Sequence, residues 1–381
     1  MFKKSLLQET ELFRTEFDGS QDHDMILRLT SLAKNVVHVP KILYYWRAHA
    51  GSVASDISAK LYCIDAAKRA VADHLRNYDI YNTLITSTRA FETIFRLQYE
   101  LTAEPKVSIV IPTCDQTEYL KKCIDAIESR NTYGNYEILV VENNSKKEET
   151  FAYYESLKEN PNVRLLTYQG EFNYSKINNY AVKEATGEYL LLMNNDVEIL
   201  CNDFIKELLM YAQRKDVGAV GAKLLFPDNT IQHAGIVLGL GAHRTAGHSH
   251  YGQHRDNLGY MGRLCYAQNV SAVTAAALMV RKSLYETVGG LDEELAVALN
   301  DVDFCLKLRE KGLLNVFTPF AEAYHYESVS RGLDYSGANG ERYEKECENF
   351  RSKWKEILEK GDPYYNPNFT LDRSDYSLNI R

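Results

Sequence analysis

Between residues 106 and 196, continuous apolar runs alternate with stretches of helical spacing. Runs rich in β-branched residues are typical of strands buried on both faces of a parallel sheet. The predicted strands lie at 106–111, 136–145, 162–168 and 188–196, and the predicted helices lie at 119–130 and 175–186. This alternation predicts right-handed crossovers, and therefore an α/β fold with a mostly parallel central sheet and flanking helices.

Polar residues follow three of these strands, at 112–115, 142–145 and 194–196. Parallel strands end at the same edge of a sheet, where ligands bind, so we expect one polar rim. Asp196 ends a buried strand, where a carboxylate is costly unless something pairs with it. A divalent cation would be one such partner. The alternative is that Asp196 is paired by hydrogen bonds within a turn or a helix cap.

Beyond residue 200 the pattern becomes mixed. Residues 242–262 are rich in Gly and His, and their length and aperiodicity indicate a functional loop or lid. A strand is predicted within 269–282, helices within 57–102, and a charged helix from 340 onward. Four histidines of the loop (His243, His248, His250 and His254) suggest a zinc site, but their spacing fits no closed motif.

The phrase LNDVDFCLKLREKG at 299–312 places Asp301 at the start of a predicted helix. A carboxylate there is favoured by the helix dipole, and it would also suit a general base. Asp303 should point elsewhere on the helix and support the structure. A similar segment, SQDHDMILRL, lies near the N-terminus. A constant offset of 279 residues aligns Asp22 with Asp301 and Pro40 with Pro319. This similarity indicates duplicated structure.

Composition narrows the function classes. The formal net charge of −8 argues against a nucleic-acid partner, which needs a basic surface. The seven scattered cysteines form no CxxC pair and favour reduced thiols in a cytoplasmic setting. The longest apolar run, within 270–280, is too short to span a membrane.

Taken together, the motifs of residues 100–370 resemble the family 2 glycosyltransferases of GT-A fold, and in particular their bacterial rhamnosyltransferase-like branch. No single motif is specific to this family. The resemblance rests on the order and spacing of the motifs. The segments are KVSIVIPT, VVENNS, FNYSKINNYAV, GEYLLLMNNDVEIL, GAVGAKLLFPDNTIQHAG, NVSAVTAAALMVRK, VGGLDEELAVALNDVDFCLKLREKG and TPFAEAYHYESVSRG.

The resemblance implies transfer of a sugar, rhamnose or a hexose, from a nucleotide-diphosphate donor to an acceptor hydroxyl, with inversion, in cell-surface polysaccharide synthesis. It implies Asp301 as the catalytic base, and Asp196 and His325 as ligands of Mn²⁺ or Mg²⁺. The first acid of the family's metal motif is Asn194 here. The implied donor-binding residues are Pro112, Thr113, Asp115, Glu142, Asn144, Asn173, Lys176, Asn179, Asn194 and Asn195. The implied sugar and acceptor residues are Thr274, Ala275, Ala276 and Asn300.

The predicted domains are a remnant of a preceding glycosyltransferase domain at 1–56, a helical linker at 57–104, the catalytic domain at 105–335, and a C-terminal helix and tail at 336–381. In the N-terminal remnant, Trp46 stands where the metal-binding histidine would stand, so we expect this copy to be non-catalytic.

The expected partners are dTDP-rhamnose or a UDP-sugar and a glycan or lipid-linked glycan acceptor, with no nucleic acid. A homodimer and peripheral contact with the inner face of the cell membrane stay open. The alternative function is an inactive glycan-binding or scaffold subunit derived from a tandem glycosyltransferase.

Overall fold

The computed structural model describes residues 1–45, 61–326 and 337–380. Trp46 therefore lies outside the described residues. The chain divides into two compact units, Met1–Glu100 and Leu101–Arg381.

Within its described residues, 1–45 and 61–100, the first unit contains two helices that pack on each other and a two-stranded hairpin. Its elements are α1 (Gln21–Leu32), α2 (Tyr62–Arg76), β1 (Leu84–Ser87) and β2 (Phe95–Gln98), with 3₁₀ turns at Lys4–Gln8 and Thr15–Phe17. The expectation of a helical linker at 57–104 is wrong for its second half, where the hairpin lies. FRLQ alternates apolar and polar positions, and LITS carries the β-branched Ile85 and Thr86; both features suit a strand better than a helix.

The second unit is an α/β fold, as the sequence predicts. Its helices are α3 (Thr117–Arg130), α4 (Glu148–Leu157), α5 (Tyr174–Glu184), α6 (Phe204–Ala212), α7 (Lys282–Thr287), α8 (Asn300–Glu310), α9 (Gly337–Lys353) and α10 (Lys355–Lys360). Its strands are β3 (Val107–Thr113), β4 (Tyr136–Glu142), β5 (Val163–Thr167), β6 (Tyr189–Met193), β7 (Val197–Ile199), β8 (Val217–Leu225), β9 (Ile231–His233), β10 (Ile236–Leu238), β11 (Ala246–His248), β12 (Gln268–Val270), β13 (Ala277–Arg281) and β14 (Leu314–His325).

The central sheet has the strand order β12-β14-β8-β13-β6-β3-β4-β5, with β7 paired to β14 and β9 paired to β8. The strands predicted from the sequence, β3 to β6, run parallel to one another. β13 joins this half to β8 through antiparallel pairing on both of its sides. β14 then runs parallel to β8. The parallel half places the ends of β3, β4 and β6 at one edge.

Both faces of this sheet are covered. Val110 and Leu139 pack on one face in a core shared with α5 and α8. Ile109 and Ile111 point to the opposite face, because side chains alternate along a strand, and they are also fully buried. Burial on both faces explains why these strands have continuous apolar sequences.

Two predicted segments take a different form in the structure. The strand expected within 269–282 is split into β12 and β13, and residues 271–276 between them leave the sheet. The stretch 242–262 contains β11, which pairs with β10. The C-terminal segment holds this stretch, since the amide of His250 donates to the carbonyl of Ser374 at 2.7 Å and that of Gly241 to Leu371 at 2.9 Å. These contacts anchor the predicted loop.

Among the described residues, no helix combines the length and the apolar character needed to cross a bilayer.

Candidate active site

A cavity of about 400 Å³ opens at the edge where β3, β4 and β6 end. It is lined by most of the residues that the sequence singled out: Pro112, Thr113, Asn144, Asn194, Asn195, Asp196, Thr274, Ala275, Ala276, Asn300, Asp301 and His325. The structure therefore brings the predicted base, metal ligands and acceptor residues to one place.

Asp196 and His325 face each other within this cavity. The Asp196 carboxylate lies 3.2 Å from Nε2 of His325, and both side chains are about nine-tenths buried. Strand register explains the approach, because His325 pairs with Val197 across β14 and β7, and the amide of Tyr326 donates to the carbonyl of Asp196. Asn194 adds its side-chain amide, whose nitrogen lies 3.1 Å from the same Nε2.

Gln232, on β9, fixes the orientation of the imidazole. Its carbonyl oxygen lies 2.6 Å from Nδ1 of His325, so Nδ1 carries the proton that it donates. A neutral imidazole that donates from Nδ1 keeps its lone pair on Nε2, which faces both the amide nitrogen of Asn194 and the carboxylate of Asp196. A lone pair and a carboxylate oxygen at this distance repel each other unless a cation or a proton lies between them.

The carboxylate of Asp196 and Nε2 of His325 fit a divalent cation. A bound substrate would supply further ligands. An imidazole nitrogen and a carboxylate oxygen are accepted ligands of Mn²⁺. The described part of the chain contains no group of three or more His, Cys, Asp or Glu side chains placed to hold a metal. Asp196 and His325 would supply the protein's ligands, and diphosphate oxygens and water would complete the coordination, as is usual for Mg²⁺ bound with nucleotides.

Asp301 lies across the same cavity, in the first turn of α8. One carboxylate oxygen accepts the amide of Val302 at 2.8 Å, and the other accepts the amide of Ala275 at 3.1 Å. The residue before α8, Leu299, adopts a left-handed conformation with φ of 62°, so Asp301 does not act as the N-cap. The two hydrogen bonds hold the carboxylate fixed and leave each oxygen with a further lone pair.

Residues 271–275 run along α8 and secure its orientation. Asp301 bonds to Ala275, Cys305 exchanges hydrogen bonds with Val273, and Arg309 donates to the hydroxyl of Ser271. Four residues of helix rise about 6 Å and two extended residues span about 6.6 Å, so every fourth helical residue meets every second extended residue. The departure of residues 271–276 from the sheet creates this contact.

Two of the predicted donor-binding residues shape the rim without lining the cavity. Asp115 accepts the amides of Lys146 and Lys147 and the hydroxyl of Thr150 at the start of α4. Burial raises the pKa of Asp115, but these hydrogen bonds outweigh it and lower the pKa below its ordinary value. Glu142 accepts the amide of Ser145 at 2.7 Å and closes the turn after β4.

Three further predicted residues, on or beside α5, also lie outside the cavity lining. Asn173 caps α5 through the amide of Lys176 and donates to the carbonyl of Glu293. Asn179 donates to the carbonyl of Leu291 and accepts the hydroxyl of Tyr285. Both asparagines therefore secure the chain segment around 291–293, which approaches α8.

The four histidines of the Gly/His stretch do not line the cavity, and each has its own partner. His243 lies 3.3 Å from Glu344, and His254 lies 3.6 Å from Asp256. His248 contacts His233 through their Nδ1 atoms at 2.8 Å. His250 is buried beside the ring of Tyr376.

Cys114 and Asn143, from the predicted polar rim, also line the cavity. Other lining residues were not singled out by the sequence: Phe172, Tyr174, Ile177 and Val297. Tyr174 is the most informative of them, because its hydroxyl donates to the carbonyl of Ala275 and its amide donates to that of Ala296. Its position beside the cap residue Asn173 was the available signal. Gln232 was also missed, although it precedes a histidine in the quoted segment TIQHAG.

The N-terminal copy of the Asp301 phrase has the same local geometry. Asp22 accepts the amide of His23 at 2.9 Å, but its side chain is exposed. Its neighbour Asp24 is buried and pairs with Arg14 and Arg28. The expectation that this copy is non-catalytic stays a prediction.

Comparisons with known proteins bear on the family and the fold of the chain. Residues 108–288 match the family model described as Glycosyl transferase family 2. The chain is 40% identical, over 99% of its length, to an uncharacterized protein, y4gI, of Sinorhizobium fredii. It is 35% identical, over 99% of its length, to the O-antigen biosynthesis protein RfbC of Myxococcus xanthus. The chain spans only 42% and 29% of the lengths of these two relatives.

A solved structure supports the fold. The crystal structure of GalNAc-T7 with UDP, GalNAc and Mn²⁺ aligns with a TM-score of 0.55 and 12% sequence identity, over 68% of this chain and 50% of that one. At this identity the likeness shows the shared GT-A fold.

Proposed function

The chain belongs to glycosyl transferase family 2, and from that premise we propose that it transfers a sugar from a nucleotide-diphosphate donor to an acceptor hydroxyl, with inversion. One observation carries the proposal: the Asp301 carboxylate and the Asp196–His325 pair line the same cavity. The similarity to an O-antigen biosynthesis protein supports polysaccharide synthesis as the setting.

The donor would lie along the rim formed by the ends of β3, β4 and β6. Thr113 and Asn195 are held together by a hydrogen bond of 3.1 Å, which orders the floor of that rim. Asn144 and the exposed ring of Phe172 border it on the β4 side. Asp196 and His325 would hold a divalent cation, which, when bound, would neutralise charge on the departing diphosphate.

Asp301 would act as general base. It accepts the proton of the acceptor hydroxyl while that oxygen forms a bond to the anomeric carbon of the donor. The bond from that carbon to the diphosphate oxygen breaks, and its electron pair leaves with the nucleoside diphosphate. Because attack and departure occur on opposite faces of the sugar, the anomeric configuration inverts. The hydrogen bonds from Val302 and Ala275 orient the carboxylate for this task.

The donor sugar can be found with a panel of dTDP-rhamnose and UDP-sugars, assayed with Mn²⁺ and candidate glycan acceptors. We expect release of nucleoside diphosphate with one donor class, and a product of inverted anomeric configuration by NMR. Retention of configuration would overturn the assignment of a single base. Binding of donors without any release across the panel would favour the inactive glycan-binding subunit, an alternative that Asn194 motivates because it replaces an acid.

A further inference from the structure

The chain segment that leads into α8 is held on two sides. On one side, the start of α5 holds it, since Asn173 donates to the carbonyl of Glu293, Ser175 to that of Leu295, and the amide of Tyr174 to that of Ala296. On the other side stands Glu346 of α9. The segment passes between these two helices before it supplies Val297 to the cavity wall.

Glu346 is a buried carboxylate that contacts backbone. Only 3% of its surface is exposed. Its two oxygens accept the amides of Val297 and Ala298, at 3.0 and 2.9 Å. Arg342, one turn away, approaches at 3.9 Å. Burial raises the pKa of Glu346, and the amides of Ala298 and Val297 act against that rise. A buried carboxylate that bonds two consecutive amides fixes the backbone at that point.

The residue that follows these amides is strained. Leu299 adopts φ of 62°, a left-handed conformation that is unfavourable for a residue with a side chain such as leucine. Such conformations persist where the surroundings over-determine them. Here Glu346 fixes residues 297 and 298 before Leu299, and Asn300 donates from its side chain to the carbonyls of Leu295 and Val297 after it. The strained turn sets where α8 begins and thus where Asp301 points.

We propose that Glu346 is a positioning residue for Asp301: its carboxylate fixes the backbone before Leu299, so that α8 begins at Asn300 and presents Asp301 to the cavity. The inference rests on the proposed function of Asp301 as base. It goes beyond the family match, because Glu346 and α9 lie outside the matched residues 108–288.

The first test is Glu346→Gln, which keeps the shape of the side chain. Its NH₂ group cannot accept a hydrogen bond, so one of the two backbone amides loses its acceptor. We expect kcat for transfer to fall by about 10- to 100-fold, as for a small misplacement of a catalytic group. The donor KM should stay within two-fold, because the donor rim is untouched. Hydrogen–deuterium exchange should rise in peptides that cover 296–303. Glu348→Gln, at an exposed position of the same helix, is the matched control and should change none of these.

A double-mutant cycle separates positioning from a general structural role. In the Asp301→Asn background, adding Glu346→Gln should cause no further loss of kcat, because the residue acts through Asp301. If Glu346→Gln does not fold, Glu346→Asp serves instead, since its shorter side chain keeps the charge but cannot reach both amides.

The outcomes are distinct. An unchanged kcat, an equal change in donor KM, or a further loss in the Asp301→Asn background would each overturn the inference. If the wild-type chain transfers no sugar with any donor, the proposed function fails on its own. In that case unchanged exchange at 296–303 in Glu346→Gln would overturn the anchoring role as well, and increased exchange would keep it.

Discussion

Asp301 and Asp22 each lie in the first turn of a helix, and each accepts the amide of the residue that follows it. The sequence alone predicts this local geometry for both. It does not predict the second hydrogen bond to Asp301, from the amide of Ala275, because the two residues meet only after the sheet has formed. The cavity around Asp301, rather than its own helix, makes it the candidate base.

We expect Asp301→Asn to lower kcat by about 10²- to 10⁴-fold, the range for loss of a general base. Steady-state kinetics would measure this loss, and calorimetric titration with the nucleoside diphosphate should show donor binding within two-fold of wild type. Asp22→Asn is the matched control, since it changes the same side chain at an exposed site. Turnover near the wild-type rate in Asp301→Asn would remove the base assignment.

The pairing of Asp196 with His325 is likewise invisible in the sequence. His325 stands 131 positions from Asn194, and only the register of β14 against β7 brings it to the predicted metal motif. A histidine after a strand has many ordinary explanations, so the sequence could nominate it but could not place it.

His325→Ala should weaken the Mn²⁺-dependent binding of the nucleoside diphosphate. Gln232→Ala should weaken the same binding by about 10- to 100-fold, the usual effect of losing a residue that orients a metal ligand. Titration calorimetry at several Mn²⁺ concentrations measures both effects. His254→Ala, at an exposed histidine outside the cavity lining, should leave the binding unchanged. Equal loss of binding in all three variants would mean that these side chains act through general stability.

At the scale of elements, the parallel half of the sheet was predictable because strands buried on both faces carry continuous apolar sequences. The split between β12 and β13 was not predictable. Residues 269–282 have an apolar pattern typical of one long strand, yet 271–275 bond to α8 instead. The path of residues 271–275 depends on Gly221 of β8, which is distant in sequence. Val273 occupies the space beside it, and a Cβ on residue 221 would overlap Val273.

Gly221→Ala should therefore destabilise the protein by about 1–3 kcal/mol, the usual cost of overpacking a core. The side chain of Val273 is β-branched and stiff, so it cannot move aside cheaply. Thermal denaturation should show a lower Tm than wild type. Gly134→Ala is the control, because a Cβ there meets no atom within 4 Å. A Tm unchanged in Gly221→Ala would show that residues 271–275 can shift freely.

At the scale of the whole molecule, the repeat predicted from sequence extends to side-chain contacts. Asp24 pairs with Arg28 in α1, and Asp303 pairs with Lys307 in α8, each four residues apart and at the same offset of 279. Residues 36–45 correspond to β14, but they form no strand among the described residues, and Val36, Ile42 and Tyr45 are strongly exposed. A strand needs neighbours, and β14 has them in β8, β7 and β12.

Acid stability is a second property of the whole fold. Glu137, on β4, is buried and accepts hydrogen bonds from Ser108 and from the amide and hydroxyl of Thr186. Burial raises the pKa of Glu137, but these hydrogen bonds and the guanidinium of Arg164 outweigh it and lower the pKa from 4.5 to about 2. A depressed carboxyl pKa stabilises the fold above the unfolded value and ceases to do so as the pH falls through the folded value.

We expect wild type to exceed Glu137→Gln in free energy of unfolding at neutral pH. The difference should persist down to about pH 4.5 and shrink as the pH falls toward 2. Urea denaturation across this range measures it. Glu155→Gln, which alters an exposed ion pair with Lys158, should change the free energy by less than about 1 kcal/mol at any pH. A difference independent of pH would contradict the role given to the ionised Glu137.

The residues that line the cavity extend along the chain from Pro112 to His325. Glu346, which is proposed to position the base Asp301, comes later in the chain. A ribosome adds only about 5–20 residues per second and releases the N-terminal part first. A nascent chain that already carries Asp196 must therefore wait for β14 and α9 before the cavity can close. Translation products that stop before these elements would lack His325 and Glu346, so we expect them to show none of the proposed transfer activity.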